Sequence, residues 1–134
     1  MVHLNKNQLT QKQLDQLFAQ MGQTLGKLKI VQSELFLTEL LGKEERIMLA
    51  KRLATIILLT EGKSLYSISR ILKISPSTAN SLKQELEKGA YTQILSSIGK
   101  SKKNYFEFLN TLDNILHLGG ILPHYNGLDR YNGL

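Results

Sequence analysis

A chain of 134 residues has the length of one domain or of one subunit in an oligomer. With 42% hydrophobic and 21% charged residues it is ordinary globular material. It has no apolar run fit to span a membrane and no cysteine for a disulfide framework or a cysteine-based zinc site. Its net charge of +6 is concentrated: residues 62–103 carry eight Lys or Arg against two Asp or Glu, whereas residues 104–134 carry one against three. The opening Met-Val-His-Leu-Asn-Lys lacks an apolar signal core, so a cytoplasmic location is expected.

Residues 7–28 read as a helix. Leu14, Leu17, Phe18, Met21, Leu25 and Leu28 fall on one stripe, and glutamines fill much of the remainder. Gly22 and Gly26 each cost about 1 kcal/mol against Ala in a helix interior, so this helix needs a partner. Packing into the core is the plain expectation, and a dimerisation arm is its sharper form. A second helix over 32–41 is expected to stop at Gly42. A third runs from Lys43 to Thr60, with Glu44 and Glu45 in the first turn, where carboxylates suit the positive end of the helix dipole. These two do not form a catalytic pair, because neighbouring side chains on a helix diverge.

The end of the third helix, Ala54-Thr55-Ile56-Ile57-Leu58-Leu59, is apolar nearly all round and must be buried on every side. One short chain has few elements to surround it, and a second copy of the chain would supply them. A central helix in a single-chain bundle is the alternative. Glu61-Gly62-Lys63 breaks the chain. Helices follow over 65–73, 76–88, 91–98 and 104–117, with a basic linker, Gly-Lys-Ser-Lys-Lys, at 99–103. The tail repeats Tyr-Asn-Gly-Leu at 125–128 and 131–134, a turn-forming pattern. No strand pattern occurs, so the expected class is all-α. It is read as a single helical-bundle domain over 1–118 followed by a tail over 119–134.

The segment 64–88 carries the functional signal and reads as a helix-turn-helix. Ile68, Leu72, Ile74, Ala79 and Leu82 are spaced to pin one helix across the other, and Ser69 is small where the two approach. Ser64 suits the N-cap of the first helix. Pro76 at the first position of the second loses no hydrogen bond and holds Ser75 in a capping conformation. With Ala79, Leu82 and Leu86 facing inward, the opposite side carries Ser77, Ser81, Gln84 and Lys88, flanked by Thr78 and Asn80.

Small hydroxyls let a backbone approach base edges, and Asn or Gln suits bidentate contact with adenine. Tyr66, Pro76, Ser77, Thr78, Asn80, Ser81 and Gln84 are therefore the candidate base contacts. Lys63, Ser67, Arg70, Lys73 and Lys83 are the candidate phosphate contacts. Lys73 stands where such a turn usually has glycine, which places a side chain at positive φ.

The stretch Gly-Lys-Glu-Glu-Arg-Ile-Met-Leu-Ala-Lys-Arg-Leu-Ala over 42–54, leading through Glu61-Gly62 into 64–82, resembles the Trp repressor family. The similarity covers roughly 32–90. It implies an intertwined all-α homodimer whose two recognition helices enter successive major grooves of a near-palindromic operator. The family's tryptophan pocket does not carry over. Its two arginines and adjoining glycine fall at Lys51, Ser81 and Leu82, so L-tryptophan is not expected to bind.

His3, His117 and His124 are scattered, and neither a nucleophilic triad nor a phosphate-cradling glycine loop can be assembled. The resulting expectation is a homodimeric, sequence-specific DNA-binding regulator, acting on double-stranded DNA as a repressor. It has no enzymatic activity, no cofactor, no membrane association, and no effector that the residues name. A helical protein-interaction or scaffold module with a basic face, or a transposase-associated DNA-binding protein, are the alternatives.

Overall fold

The computed structural model describes residues 8–99 and 102–118, and every regular element among them is an α-helix, as the sequence pattern required. In chain order these are α1 (Gln11–Gly26), α2 (Ile30–Leu40), α3 (Lys43–Thr60), α4 (Leu65–Leu72), α5 (Pro76–Glu87), α6 (Thr92–Gly99) and α7 (Lys102–Leu118). No helix among the described residues is long and apolar enough to cross a membrane. The chain divides into two compact units between Arg46 and Ile47, so the first residues of α3 belong to one and the remainder to the other. The tail over 119–134, with its Tyr-Asn-Gly-Leu repeat, lies outside the described residues, as do His3, His124 and residues 100–101 of the basic linker, whose Gly99 ends α6 and whose Lys102 and Lys103 open α7.

In the first unit, α1 opens on a reciprocal cap. The Gln13 N–H donates to the Thr10 hydroxyl at 3.2 Å, and the Thr10 N–H donates to the Gln13 side-chain oxygen at 2.8 Å. The apolar stripe read along this helix does not become core. No residue of α1 or α2 is buried; Leu17 and Phe18 are each 57% exposed and Ile30 80%. This corrects the plain expectation that α1 packs into the core of its own chain.

Gly42 also differs from expectation. Leu41 ends α2 in an extended conformation, and Gly42 starts α3: its carbonyl accepts the Arg46 N–H at 2.9 Å, and its N–H donates to the Glu45 carboxylate at 2.9 Å. A β-carbon at position 42 would lie 3.1 Å from that carboxylate. Glu45 is thus used as a helix cap.

The second unit holds the core. Ile56, Ile57 and Leu58 of α3 are at most 1% exposed. Ile57 and Leu58 cluster with Ile68, Ile71 and Leu72 of α4 and with Leu109 and Leu112 of α7. Leu95 and Ile98 of α6 and Tyr105 and Phe108 of α7 pack against this cluster. Each fully buried Ile or Leu contributes about 1.5–3 kcal/mol. The all-round apolar end of α3 is therefore covered by the chain's own α4 and α7, and its burial needs no second copy. The Tyr105 hydroxyl donates to the Glu61 carboxylate at 2.6 Å, fastening α7 to the end of α3.

That end is closed by Gly62 at φ 83°, a conformation that costs glycine little. The Lys63 N–H then reaches the Leu58 carbonyl and the Gly62 N–H the Leu59 carbonyl, both at 3.0 Å. This turn delivers the chain into α4.

Candidate nucleic-acid interface

Two short helices and a three-residue turn make up the site. α4 begins at Ser64, whose hydroxyl accepts the Ser67 N–H at 3.1 Å. Its apolar face, Ile68, Ile71 and Leu72, is buried in the core, which fixes the helix and turns the opposite side outward. Ile68 and Leu72 lie on the inner face where their spacing places them, and Ile71, not expected there, belongs to the same face.

The turn is held at several points. Lys73 adopts φ 57° and ψ 47°, the left-handed conformation expected to suit glycine. The Ile74 N–H donates to the Ser69 carbonyl at 3.2 Å, and the Ser69 hydroxyl donates back to the Ile74 carbonyl at 2.6 Å. The Lys51 ammonium, twenty-two positions earlier on α3, donates to the Lys73 carbonyl at 3.2 Å. Sequence spacing carries no signal for a bond of that range.

α5 starts on Ser75, whose hydroxyl accepts the Thr78 N–H at 3.1 Å, with Pro76 at the first helical position. α4 and α5 pack against each other. Ala79 and Leu82 are buried and Leu86 is half-buried, the inner face that the spacing required. Pro76, Ser77, Thr78, Asn80, Ser81, Lys83 and Gln84 are exposed.

The hydroxyls at the helix start form a local cluster. Ser75 Oγ donates to Thr78 Oγ1 at 2.8 Å and lies 3.2 Å from Ser77 Oγ. Any partner reaching Ser77 or Thr78 meets this cluster, whereas Asn80, Ser81 and Gln84 stand further along the helix.

On α4, Tyr66 and Arg70 are exposed and paired. The Arg70 Nη1 donates to the Tyr66 hydroxyl at 2.7 Å, and the guanidinium carbon sits 5.5 Å from the ring centroid. Lys63 and Ser67 are half-buried and Lys73 is exposed. Of the candidate phosphate contacts, Ser67 and Arg70 stand on α4, Lys63 and Lys73 flank it, and Lys83 stands on α5.

A cleft of about 210 Å³ lies between α3 and the α4–α5 turn. Lys51, Arg52, Thr55, Lys73, Thr78 and Leu82 are among its walls. Leu82 lines this cleft and does not fill it. Ser81 takes no part in the lining. Arg52 and Met48, which the sequence reading did not single out, do. Among the described residues no cluster of His, Cys, Asp or Glu suited to a metal ion occurs. No protein-family model, curated protein or solved structure matches the chain.

Proposed function

We propose that the chain is a sequence-specific DNA-binding transcriptional regulator, acting as a homodimeric repressor, in which α4 and α5 serve as a helix-turn-helix. The observation that carries the reading is the outward face of α5. A capped helix start, small hydroxyls, Asn80 and Gln84 form a polar ridge backed by buried Ala79 and Leu82. A ridge of that kind fits a major groove, and Asn and Gln can read adenine there. Arg70, Lys73 and Lys83 supply cations beside it, which suits phosphates on either side of the groove.

Homodimerisation is the second part of the proposal, and it rests on α1 and α2. The apolar end of α3 is satisfied within one chain, while α1 and α2 leave Leu17, Phe18, Met21, Ile30, Val31 and Leu35 exposed. Apolar faces of this extent on two helices with no buried residue call for a partner, and a second copy is always present at equal concentration. The Trp-repressor-like intertwined arrangement is one way to provide it. Two copies of α5 would then read half-sites about one helical turn apart.

Selection of bound sites from random duplexes, with dimer mass by light scattering, tests both parts. Binding should fall steeply with salt, by roughly one log unit per log salt for each phosphate contact. Lys83→Glu with Arg70→Glu should abolish it with the helical fold intact, and Leu17→Glu with Phe18→Glu should yield monomers. A parent protein that binds no duplex at low salt would leave the helical interaction module as the reading, with α1 and α2 as its docking faces.

A further inference from the structure

We infer that Tyr66 is a positioning residue for Arg70, and that the pair forms a preset phosphate grip on α4; the inference rests on the DNA-binding reading above. The sequence pattern alone places Tyr66 among base contacts. The geometry gives it a different task. Its hydroxyl accepts from Arg70 Nη1 at 2.7 Å while its ring lies beneath the guanidinium, 5.5 Å from centroid to carbon. That distance is within cation–π range. Two contacts of different kind, one at the edge and one at the face, fix both the position and the plane of the same cation.

This matters because an arginine on a free stem loses rotamer freedom when it grips a ligand, and one already held has lost it beforehand. The remaining guanidinium donors, on Nη2 and Nε, still form a planar fork. Such a fork matches the two free oxygens of a phosphodiester. Arg70 lies in the last turn of α4, and the first helix of a helix-turn-helix crosses the backbone while the second occupies the groove. Lys73, which ends the same helix, is exposed as well. Phosphate, and not a base edge, is what this position meets.

Neither residue belongs to the core: Tyr66 is 65% exposed, so substitutions there leave the fold alone. The test is a double-variant cycle with Tyr66→Phe, Arg70→Ala and both together. Binding is titrated against salt on a selected duplex and on one of arbitrary sequence. Tyr66→Phe should weaken both duplexes equally, by about threefold to tenfold, as loss of one orienting hydrogen bond would. Arg70→Ala should lower the salt slope by about 0.9, one phosphate contact. In the Arg70→Ala background the Tyr66→Phe change should have no further effect, and Arg70→Lys should not restore the parent affinity because an ammonium has no plane to hold.

Additive losses, or a Tyr66→Phe loss confined to the selected duplex, overturn the inference and return Tyr66 to direct contact while the DNA-binding reading stands. A parent that binds neither duplex removes that reading and the inference together.

Discussion

Ser69 and Ile74 exchange two hydrogen bonds across the α4–α5 turn, the Ile74 N–H to the Ser69 carbonyl and the Ser69 hydroxyl to the Ile74 carbonyl. The serine reads in sequence as a small residue at a helix crossing. Its hydroxyl instead closes a ring that sets where α5 begins. Ser69→Ala should therefore lower stability by about 1–2 kcal/mol, since the partner carbonyl is left without its donor. The urea midpoint should fall with an unchanged m-value. Ser69→Gly should cost more, because a glycine also loosens α4.

Lys73 occupies the left-handed region at φ 57°, and its carbonyl is held by the Lys51 ammonium. The two effects oppose each other. A side chain there costs about 1–2 kcal/mol in backbone strain, and a glycine returns part of that through the greater freedom of its unfolded chain. Lys73→Gly should raise stability by a net ~0.5 kcal/mol, given those opposing magnitudes. Lys51→Met, which removes the anchor but keeps the stem, should lower it by about 1 kcal/mol. Thermal unfolding of the two single variants and the double variant measures both terms, and a Lys73→Gly protein that melts earlier than the parent would contradict the strain argument.

The parts of this structure that were legible in the sequence are those set by periodicity and local capping. Ile68, Leu72, Ala79 and Leu82 lie on the inner faces that their spacing requires, and Ser64 and Ser75 cap their helices as their positions suggest. What escaped is long-range or depends on neighbours. Ala54 to Leu58 announce burial but not what covers them, and the cover is shared by α4 and by α7, some fifty residues away. The stripe on α1 has the same appearance as a core stripe, because a pattern records that a face is apolar and not where its partner comes from. Lys51 reaching Lys73, and Tyr105 reaching Glu61, join residues that no local motif connects.

Ser75 separates the capping role from the electrostatics of the proposed interface. Its hydroxyl accepts the Thr78 N–H and also donates to the Thr78 hydroxyl. Ser75→Ala should destabilise by about 1 kcal/mol through loss of the cap. Ser75→Asp keeps an acceptor at the N-cap and adds a charge favoured by the helix dipole, so stability should be retained. The same carboxylate at the start of α5 would face phosphate, and duplex binding should drop with the fold undisturbed. Equal duplex binding by parent and Ser75→Asp would place the interface elsewhere on the protein.

The cleft between α3 and the α4–α5 turn bears on whether L-tryptophan acts as an effector. Leu82 leaves about 210 Å³ open, so exclusion of an indole does not rest on steric filling. It rests on the walls. Lys51 already donates to the Lys73 carbonyl, and an ammonium offers no flat face to stack on an aromatic ring. Ser81, exposed on α5, is not among the lining residues and cannot close the other side. Drawing Lys51 away to meet a ligand would also release the carbonyl that steadies the strained Lys73 turn, a cost of about 1 kcal/mol against binding. Calorimetric titration with L-tryptophan should show no heat at micromolar concentrations, and the duplex affinity should be the same with and without the amino acid. Micromolar binding by the parent protein would mean that Lys51 leaves the turn readily and that the cleft accepts an indole without an arginine clamp.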